Sequence, residues 1–389
     1  MTGPSFASMA AREWRVLWRD PWLLSLVSWV PLLLFFLMWA IFSQGIARNL
    51  PLGLVDLDKS RLSRALIRHY DASPALATTS HFPDVQEGAA ALRAGKIYGL
   101  VILPANLEKR TMLGRPPAVD AFVNSQFLLI GKLINSALLQ AQGTFVGKIE
   151  IARNLATGAP VFDKALATAM PIASQVTPLF NSNNNYAQFL VSAMLPAVWQ
   201  ILMVAFTVLS LAAEQRRDGL QEWLGTSPVK ALFAKFLPLI LLFWLQGSLF
   251  LWGMYIFLGW PMHGNWTLLL FAQLVTVCAS LAIASLFFFL TLDAARGLSL
   301  AAAYTAPGLA FMGVTFPVTD MTLPATLWRG LLPISHYIEI QFGQVNYGAS
   351  LQATMEPLQH LGLFVVPFLF VCYKIKQLGA RHIPSGAKQ

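Results

Sequence analysis

The residues best placed to do chemistry form a polar segment between two apolar runs, from position 214 to position 235. Its candidate contact and shape residues are Glu214, Arg217, Asp218, Gly219, Glu222, Trp223 and Pro228. Carboxylates and guanidinium groups can bind a complementary protein surface. No histidine or cysteine accompanies them, so the segment lacks the usual partners for acid–base or nucleophilic catalysis. The pattern favours a contact site for a soluble partner.

Glycine and proline divide this segment into short pieces. Apolar side chains recur at helical spacing at Leu220, Trp223 and Leu224, which predicts a short helix with one apolar edge. Gly225 is placed to end that helix, Ser227 is a candidate cap, and Pro228 suits the first position of the next helix. We therefore predict a short amphipathic helix, a sharp stop and a second helix that continues into the next apolar run. A plain solvated connector is the alternative.

The sequence carries no signature of catalysis or of cofactor binding. It has no Gly-x-x-x-x-Gly-Lys-Ser/Thr phosphate loop and no His-Glu-x-x-His pair, and its six histidines show no ligand spacing. Cys278 and Cys372 fall in apolar runs, which indicates buried thiols instead of a disulfide or a metal site. The apolar runs also lack the ionisable relay of ion-coupled carriers. We expect no catalytic residue, no metal and no cofactor bound by this chain, so its energy source must lie elsewhere.

Composition places the chain in a membrane. Hydrophobic residues make up 56% of it and charged residues only 12%, whereas soluble domains average about 25% charged. The net charge of +9 is not gathered in one patch, and several basic residues flank apolar runs. That distribution follows the positive-inside rule, so nucleic-acid binding is not indicated.

The predicted fold is an α-helical integral membrane protein with six transmembrane helices and an extracytoplasmic α/β domain inserted between helices 1 and 2. The six spans are Trp22–Phe42, Tyr186–Leu211, Phe236–Leu258, Thr267–Leu290, Leu298–Val318 and Ala353–Tyr373. The helical piece Leu323–Leu332 is too short to cross and is predicted to be a surface or re-entrant helix. The predicted parts are a cytoplasmic interfacial helix (1–21), transmembrane helix 1 (22–44), the α/β domain (45–185), transmembrane helices 2–6 (186–374, with a coupling loop at 212–235) and a cytoplasmic tail (375–389).

Residues 5–20 have the pattern of a helix that lies in the membrane interface. Trp14 and Trp18 recur at helical spacing, and Arg12 and Arg15 fall on another face, where they can meet anionic headgroups. A solvated basic leader is the alternative. The Lys and Arg residues of the short loops place both termini and the loop 212–235 in the cytoplasm, because long domains cross regardless of charge.

Alternating strand and helix patterns predict a small, mostly parallel sheet within residues 48–180. Strands are expected at 51–56, 75–79, 97–103 and 118–123, helices capped by Ser60 and Asp84, and a long helical region at 126–155. One predicted helix carries a basic stripe at Arg61, Arg64 and Arg68. That stripe is either a solvated face or a contact for an acidic partner.

Four segments resemble the ABC-2 type permeases with a large extracytoplasmic domain. The family's loop pattern E-R-E-x-G-T-x-E-x-L-x-x-[TS]-P-[VL], followed by K, is matched at Glu214, Asp218, Gly219, Glu222, Leu224, Ser227, Pro228, Val229 and Lys235. Leu220 replaces the usual Thr. The other three segments are 54–63 (LVDLDKSRLS), 92–104 (LRAGKIYGLVILP), and 313–317 (GVTFP) with 332–337 (LPISHY). The family's Pro-Gly in the second span is absent here.

This resemblance implies the membrane subunit of an ATP-binding cassette exporter. Such a subunit is a permease and not an enzyme: separate ATPase subunits use ATP and magnesium, and they dock on the loop 212–235 and on the interfacial helix. The resemblance further implies a dimer with a second copy or a sister permease, a bacterial inner-membrane location, and a drug-like or hydrophobic substrate. A periplasmic adaptor and an outer-membrane channel complete the path in some relatives. The alternatives are a membrane-anchored sensor or assembly platform and, less well supported by the residues, a secondary carrier.

Overall fold

The computed structural model describes residues 5–43, 45–115, 117–156, 180–181 and 185–380. These residues form two compact units. The smaller contains the described residues from 46 to 156, and the larger contains those before 46 and after 180. The sequence predictions for residues 157–179 and for most of the tail at 375–389 concern positions outside the described residues.

The larger unit begins with an amphipathic helix and a broken apolar one. The three helices are α1 (Phe6–Arg19), α2 (Pro21–Val27) and α3 (Trp29–Phe42). The sequence places a kink at Pro31, and the structure breaks the helix slightly earlier, at Ser28. Proline removes the hydrogen bond to the carbonyl four residues before it, which here is that of Val27. Gln246 Nε2 donates to this freed carbonyl at 2.8 Å.

The smaller unit is built on a four-stranded sheet in the order β2-β1-β3-β4. β1 pairs in parallel with β2 and with β3, and β4 is antiparallel to β3, which confirms the prediction of a mostly parallel sheet. Its elements are β1 (Leu50–Asp56), α4 (Arg61–Asp71), β2 (Leu76–Phe82), α5 (Val85–Arg93), β3 (Gly99–Leu103), α6 (Leu107–Met112), β4 (Asp120–Val123) and α7 (Leu128–Ala156).

Alternating side chains of the central strand β1 fill two cores, one on each face of the sheet. Leu54 packs with Tyr70 of α4 on one face, and Val55 packs with Ala91 of α5 on the other. Burial on the first face raises the pKa of Tyr70 to about 12. The predicted caps are confirmed, since the Ser60 and Asp84 side chains accept backbone hydrogen bonds from the first turns of α4 and α5.

The loop that follows β1 is held by a carboxylate. Desolvation alone would raise the pKa of Asp58, but hydrogen bonds from Ser60 and from the backbone amides at positions 106–108 outweigh it and lower that pKa. The Glu108 amide lies 3.1 Å from Asp58 Oδ2. This carboxylate therefore links the start of α4 to the start of α6.

Three long helices and one short helix resume the larger unit. They are α8 (Tyr186–Arg217), the short α9 (Leu220–Leu224), α10 (Pro228–Trp252, continued as a π-helix at Gly253–Phe257) and α11 (Trp266–Thr291). Helices α8 and α11 pack against each other and form the most buried pair of the unit. Pro196 frees the carbonyl of Ser192 within α8. Gln341 Nε2 donates to that carbonyl at 2.9 Å, so a second buried glutamine satisfies a backbone carbonyl that a proline leaves without its helical donor.

In the last part of the larger unit, the span predicted at 298–318, which contains Pro307, Gly308 and Gly313, is interrupted. Two shorter helices occupy this stretch because Pro307 cannot continue the hydrogen-bond ladder and Gly313 adopts a left-handed φ of 83°. The predicted short helix at 323–332 is present as α14. The elements are α12 (Ala294–Thr305), α13 (Gly308–Phe311), α14 (Leu323–Gly330), α15 (Pro333–Phe342, then a π-helix at Gly343–Tyr347), α16 (Leu351–Gly362) and α17 (Val365–Ala380).

Within the described residues, five helical segments are long and apolar enough to cross a membrane. They are Pro21–Phe42, Tyr186–Arg217, Pro228–Phe257, Trp266–Thr291 and Leu351–Ala380. The first and last of these expose large apolar side chains along their length, such as Phe36 and Leu369. So much exposed apolar surface suits lipid and not water. The chain is a helical membrane protein, and the six-helix count remains a prediction.

Candidate functional site

The polar segment between α8 and α10 folds as a compact turn. Gly219, with φ 81° and ψ 142°, reverses the chain after α8, and Gly225, with φ 51°, ends α9. Pro228 occupies the first turn of α10, as predicted. The prediction that Ser227 caps α10 through its side chain was wrong: Ser227 precedes the helix, but its hydroxyl accepts no capping hydrogen bond. The short helix, the sharp stop and the second helix are confirmed.

A cluster of opposite charges joins this turn to α1, and we call it the charge cluster: Arg12, Glu13, Glu214, Asp218 and Lys235. Lys235 Nζ lies 2.6 Å from Glu214 Oε1 and 2.9 Å from Glu13 Oε2. Arg12 contacts Glu214 at 2.9 Å and Asp218 at 2.6 Å. Residues of three helices and of the turn after α8 thus share one network of ion pairs.

Burial makes the inner part of this network costly to disturb. The Glu214 side chain has 0% of its surface exposed, Lys235 4% and Glu13 5%. Arg12 is half-buried: desolvation alone would lower its pKa, but the neighbouring Glu214 carboxylate outweighs that effect and raises it. Charges in such surroundings are stable only when they are paired, so each member of the charge cluster depends on the others.

Two further contacts hold α1 and the following turn against the same region. Trp223 Nε1 of α9 donates to Glu13 Oε1 at 3.3 Å. Arg217 Nη2, at the end of α8, lies 3.3 Å from Asp20 Oδ2, and the other carboxylate oxygen of Asp20 caps the start of α2. A movement of one of these helices relative to the others would break these contacts, and the helices concerned are α1, α2, α8, α9 and α10.

Other predicted site residues remain on the outer surface. Glu222 is exposed on α9, and Arg15 and Trp18 are exposed on α1. Trp14 packs edge-on against Trp18, with ring centroids 6.4 Å apart. A recess of about 280 Å³ opens between α1 and α9, with Ser8, Met9, Arg12, Asp218 and Glu222 among its lining residues. This recess and its rim are accessible to a partner.

Two of the candidate site residues make internal contacts. Glu214 has no exposed surface, so its contacts are internal and it cannot touch a partner directly in this conformation. Arg12 points into the charge cluster and is not free to bind headgroups with Arg15.

Sequence reasoning did not assign a site role to Glu13 or to Lys235. One available signal was the helical spacing of Glu13 and Leu17, which places a carboxylate on the buried face of an amphipathic helix.

Among the described residues, no group of three or more His, Cys, Asp or Glu side chains is arranged to hold a metal ion.

Comparison with known proteins identifies the family. A family model described as an ABC-2 family transporter protein matches residues 21–373, which include the inserted sheet, the first four candidate spans and most of the fifth. A search of curated proteins finds no match to the chain. Because the family model covers most of the sequence, the chain belongs to the ABC-2 family of transporter proteins.

Proposed function

We propose that this chain is the permease subunit of an ATP-binding cassette exporter, driven by a separate ATPase subunit that uses ATP and magnesium. The observation that carries the proposal is the charge cluster. It ties the amphipathic helix α1 to the turn between two candidate spans, α8 and α10. A force applied to α9 would pass through Trp223, Glu13 and Lys235 to those spans, because their contacts are short and buried.

In this proposal the ATPase binds the exposed face of α9 and the recess beside it. Glu222 and Asp218 present carboxylates at the rim, and Met9 adds an apolar contact. Glu214 and Lys235 act inside the permease as a buried ion pair that holds α8 and α10 together. Gly219 sets the shape of the turn through its backbone and does not contact the partner.

The wider arrangement belongs to the same proposal. The turn 212–235 and both termini face the cytoplasm of a bacterial inner membrane, and the unit of residues 46–156 lies outside. Two permeases, identical or sister chains, form the path for a drug-like or hydrophobic substrate. An adaptor and an outer-membrane channel are further partners in this proposal. Five candidate spans among the described residues, together with a sequence that has no ATP-binding motif, support a permease whose transport is driven by ATP hydrolysis in a separate subunit.

Charge reversal on α9 tests the docking site. Glu222→Arg changes an exposed side chain that makes no ion pair among the described residues, so the fold should persist while ATPase binding is lost. The candidate ATPase is co-expressed, co-purified and assayed for ATP-dependent transport in vesicles. Glu87→Arg is the matched control, since Glu87 is also an exposed helical glutamate but belongs to the other unit. Unchanged co-purification and transport in Glu222→Arg would refute docking at α9.

Side-specific labelling tests the orientation separately. Cysteine is introduced by Glu222→Cys or Glu87→Cys after Cys278 and Cys372 are replaced by serine, and intact cells are treated with an impermeant maleimide. We expect labelling at position 87 only. Labelling at position 222 in intact cells would overturn the proposed topology. A membrane-anchored sensor would be favoured if no ATPase bound to the chain while its orientation was as proposed.

A further inference from the structure

We propose that the smaller unit binds a small anionic amphiphile, a molecule with a carboxylate, phosphate or sulfonate head and a short apolar body, in a cavity beside α4. This inference does not depend on the transport function. The cavity has a volume of about 450 Å³, within the range of small-molecule sites, and lies between α4 and the carboxyl ends of β1 and β2.

Cationic side chains dominate the polar part of this cavity. Lys59 lies in the loop after β1, and Arg64 and Arg68 lie one turn apart on α4. The ion pairs of the described residues involve other cations, on α1, α8, α10 and α14, so none of these three has a carboxylate partner there. Unpaired arginines that converge on a cavity provide bidentate donors for an acid group.

The one carboxylate in the lining is already engaged. Asp56 Oδ1 accepts from the backbone amides of Asp58 and Lys59, and Asp56 Oδ2 accepts from the Ser63 hydroxyl at 2.8 Å. These bonds hold the loop after β1 and keep the carboxylate turned toward the backbone. The three cations outnumber it, so the cavity attracts an anion.

The floor of the cavity is apolar, which distinguishes it from a solvated basic face. Leu54 is almost fully buried, and Ile67 and Phe82 are half-buried, so they offer apolar surface beneath the cationic rim. A ligand with an acid head and a short hydrocarbon body satisfies both parts. An acidic protein segment would use the rim and leave the apolar floor uncovered.

Octyl phosphate is the probe, and octyl glucoside is its uncharged counterpart. The full chain is reconstituted in nanodiscs of neutral phosphatidylcholine, and hydrogen–deuterium exchange is followed with increasing probe. We expect octyl phosphate to slow exchange in residues 57–70 and 79–83, and octyl glucoside to leave it unchanged. A parallel sample with phosphatidylglycerol and no probe identifies the source of the anion: protection there indicates bilayer lipid, and protection by octyl phosphate alone indicates a free amphiphile. Either result supports the site.

Substitutions on one helix give the matched comparison. Arg64→Gln and Arg68→Gln should each weaken octyl phosphate binding by about tenfold, because each removes a charge-assisted hydrogen bond. Arg61→Gln alters an exposed arginine of the same helix that does not line the cavity, and it should weaken binding by less than about twofold. If either variant alters exchange before probe is added, Lys59→Gln replaces it. The proposal is overturned if octyl glucoside protects equally, if Arg61→Gln has the same effect, or if no protection occurs.

Discussion

Replacement of Lys235 by methionine probes the charge cluster most directly. Methionine keeps the length and the apolar stem of the side chain but removes the ammonium group. That group lies 2.6 Å from Glu214 and 2.9 Å from Glu13, and all three side chains are buried. The variant leaves two buried carboxylates facing each other, and among the described residues Arg12 is the one remaining cation that contacts both.

The expected loss in the free energy of unfolding depends on how deeply the two carboxylates are buried and on the charge that Arg12 still supplies. Removal of one partner from a buried ion pair costs about 3–5 kcal/mol, because it leaves an uncompensated charge. Arg12 still neutralises part of the carboxylate charge, so we expect the lower end, about 3 kcal/mol of the free energy of unfolding. Glu214→Gln combined with Lys235→Met should cost less than the sum of the two single variants. The expected coupling energy is about 1–3 kcal/mol, as for residues in direct contact.

Unfolding of the purified chain in mixed micelles, followed by circular dichroism as sodium dodecyl sulfate increases, gives these free energies. Lys230→Met is the matched control, since Lys230 is exposed in the first turn of the same helix. It should change the free energy of unfolding by less than about 0.5 kcal/mol. The reasoning is refuted if Lys235→Met is as mild as this control, or if the effects of Lys235→Met and Glu214→Gln are additive.

Three further outcomes are expected. Gly219→Ala should lower the free energy of unfolding by about 1–3 kcal/mol, because φ 81° with ψ 142° is strained for alanine although its Cβ would meet no atom within 4 Å. In the same micelle assay, Gly362→Ala, which lies in open helical surroundings, should be neutral. Equal effects of the two substitutions would contradict the backbone argument. Gln341→Leu should lower the free energy of unfolding by about 1–3 kcal/mol, because it leaves the Ser192 carbonyl of α8 without a donor. Gln359→Leu, at an exposed position, should not lower it. A stable Gln341→Leu variant would show that another group satisfies that carbonyl. The lowered pKa of Asp58 means that its stabilising effect is present above its unfolded pKa and is lost as the pH falls through its folded pKa. Below about pH 4 the protection factor of the α6 amides, which is the intrinsic exchange rate at that pH divided by the measured rate, should therefore fall in the wild type and change less in Asp58→Asn. Identical pH profiles of the protection factor would contradict this.

Particular elements show how far sequence patterns reach in this protein. The helix at Leu220–Leu224 and its stop at Gly225 follow from apolar spacing and from one residue that tolerates a left-handed φ. The alternation of strands and helices likewise predicts the sheet. The interruption of the span predicted at 298–318 also follows from the sequence, because α12 ends just before Pro307, which cannot continue the backbone hydrogen-bond ladder.

Local patterns do not predict the charge cluster, nor the two glutamines, Gln246 and Gln341, that donate to carbonyls left free by prolines. Glu13 and Trp223 are 210 positions apart, and Gln246 and Val27 are 219 positions apart. No local pattern links such pairs, because the chain brings them together only when the helices pack. A carboxylate on an amphipathic helix or a glutamine in an apolar one has no evident partner until then.

The sequence by itself determined the membrane class, the amphipathic α1, the interrupted helices and the inserted sheet, because all of these depend on hydropathy, periodicity and backbone preference over a few neighbouring residues. Only the tertiary structure decided that Glu214 is buried in ion pairs with Lys235 and Arg12, while Glu222 stays on the surface. The reason is physical: whether a charge is buried and paired depends on which helices surround it, and the residues of its own segment do not contain that information.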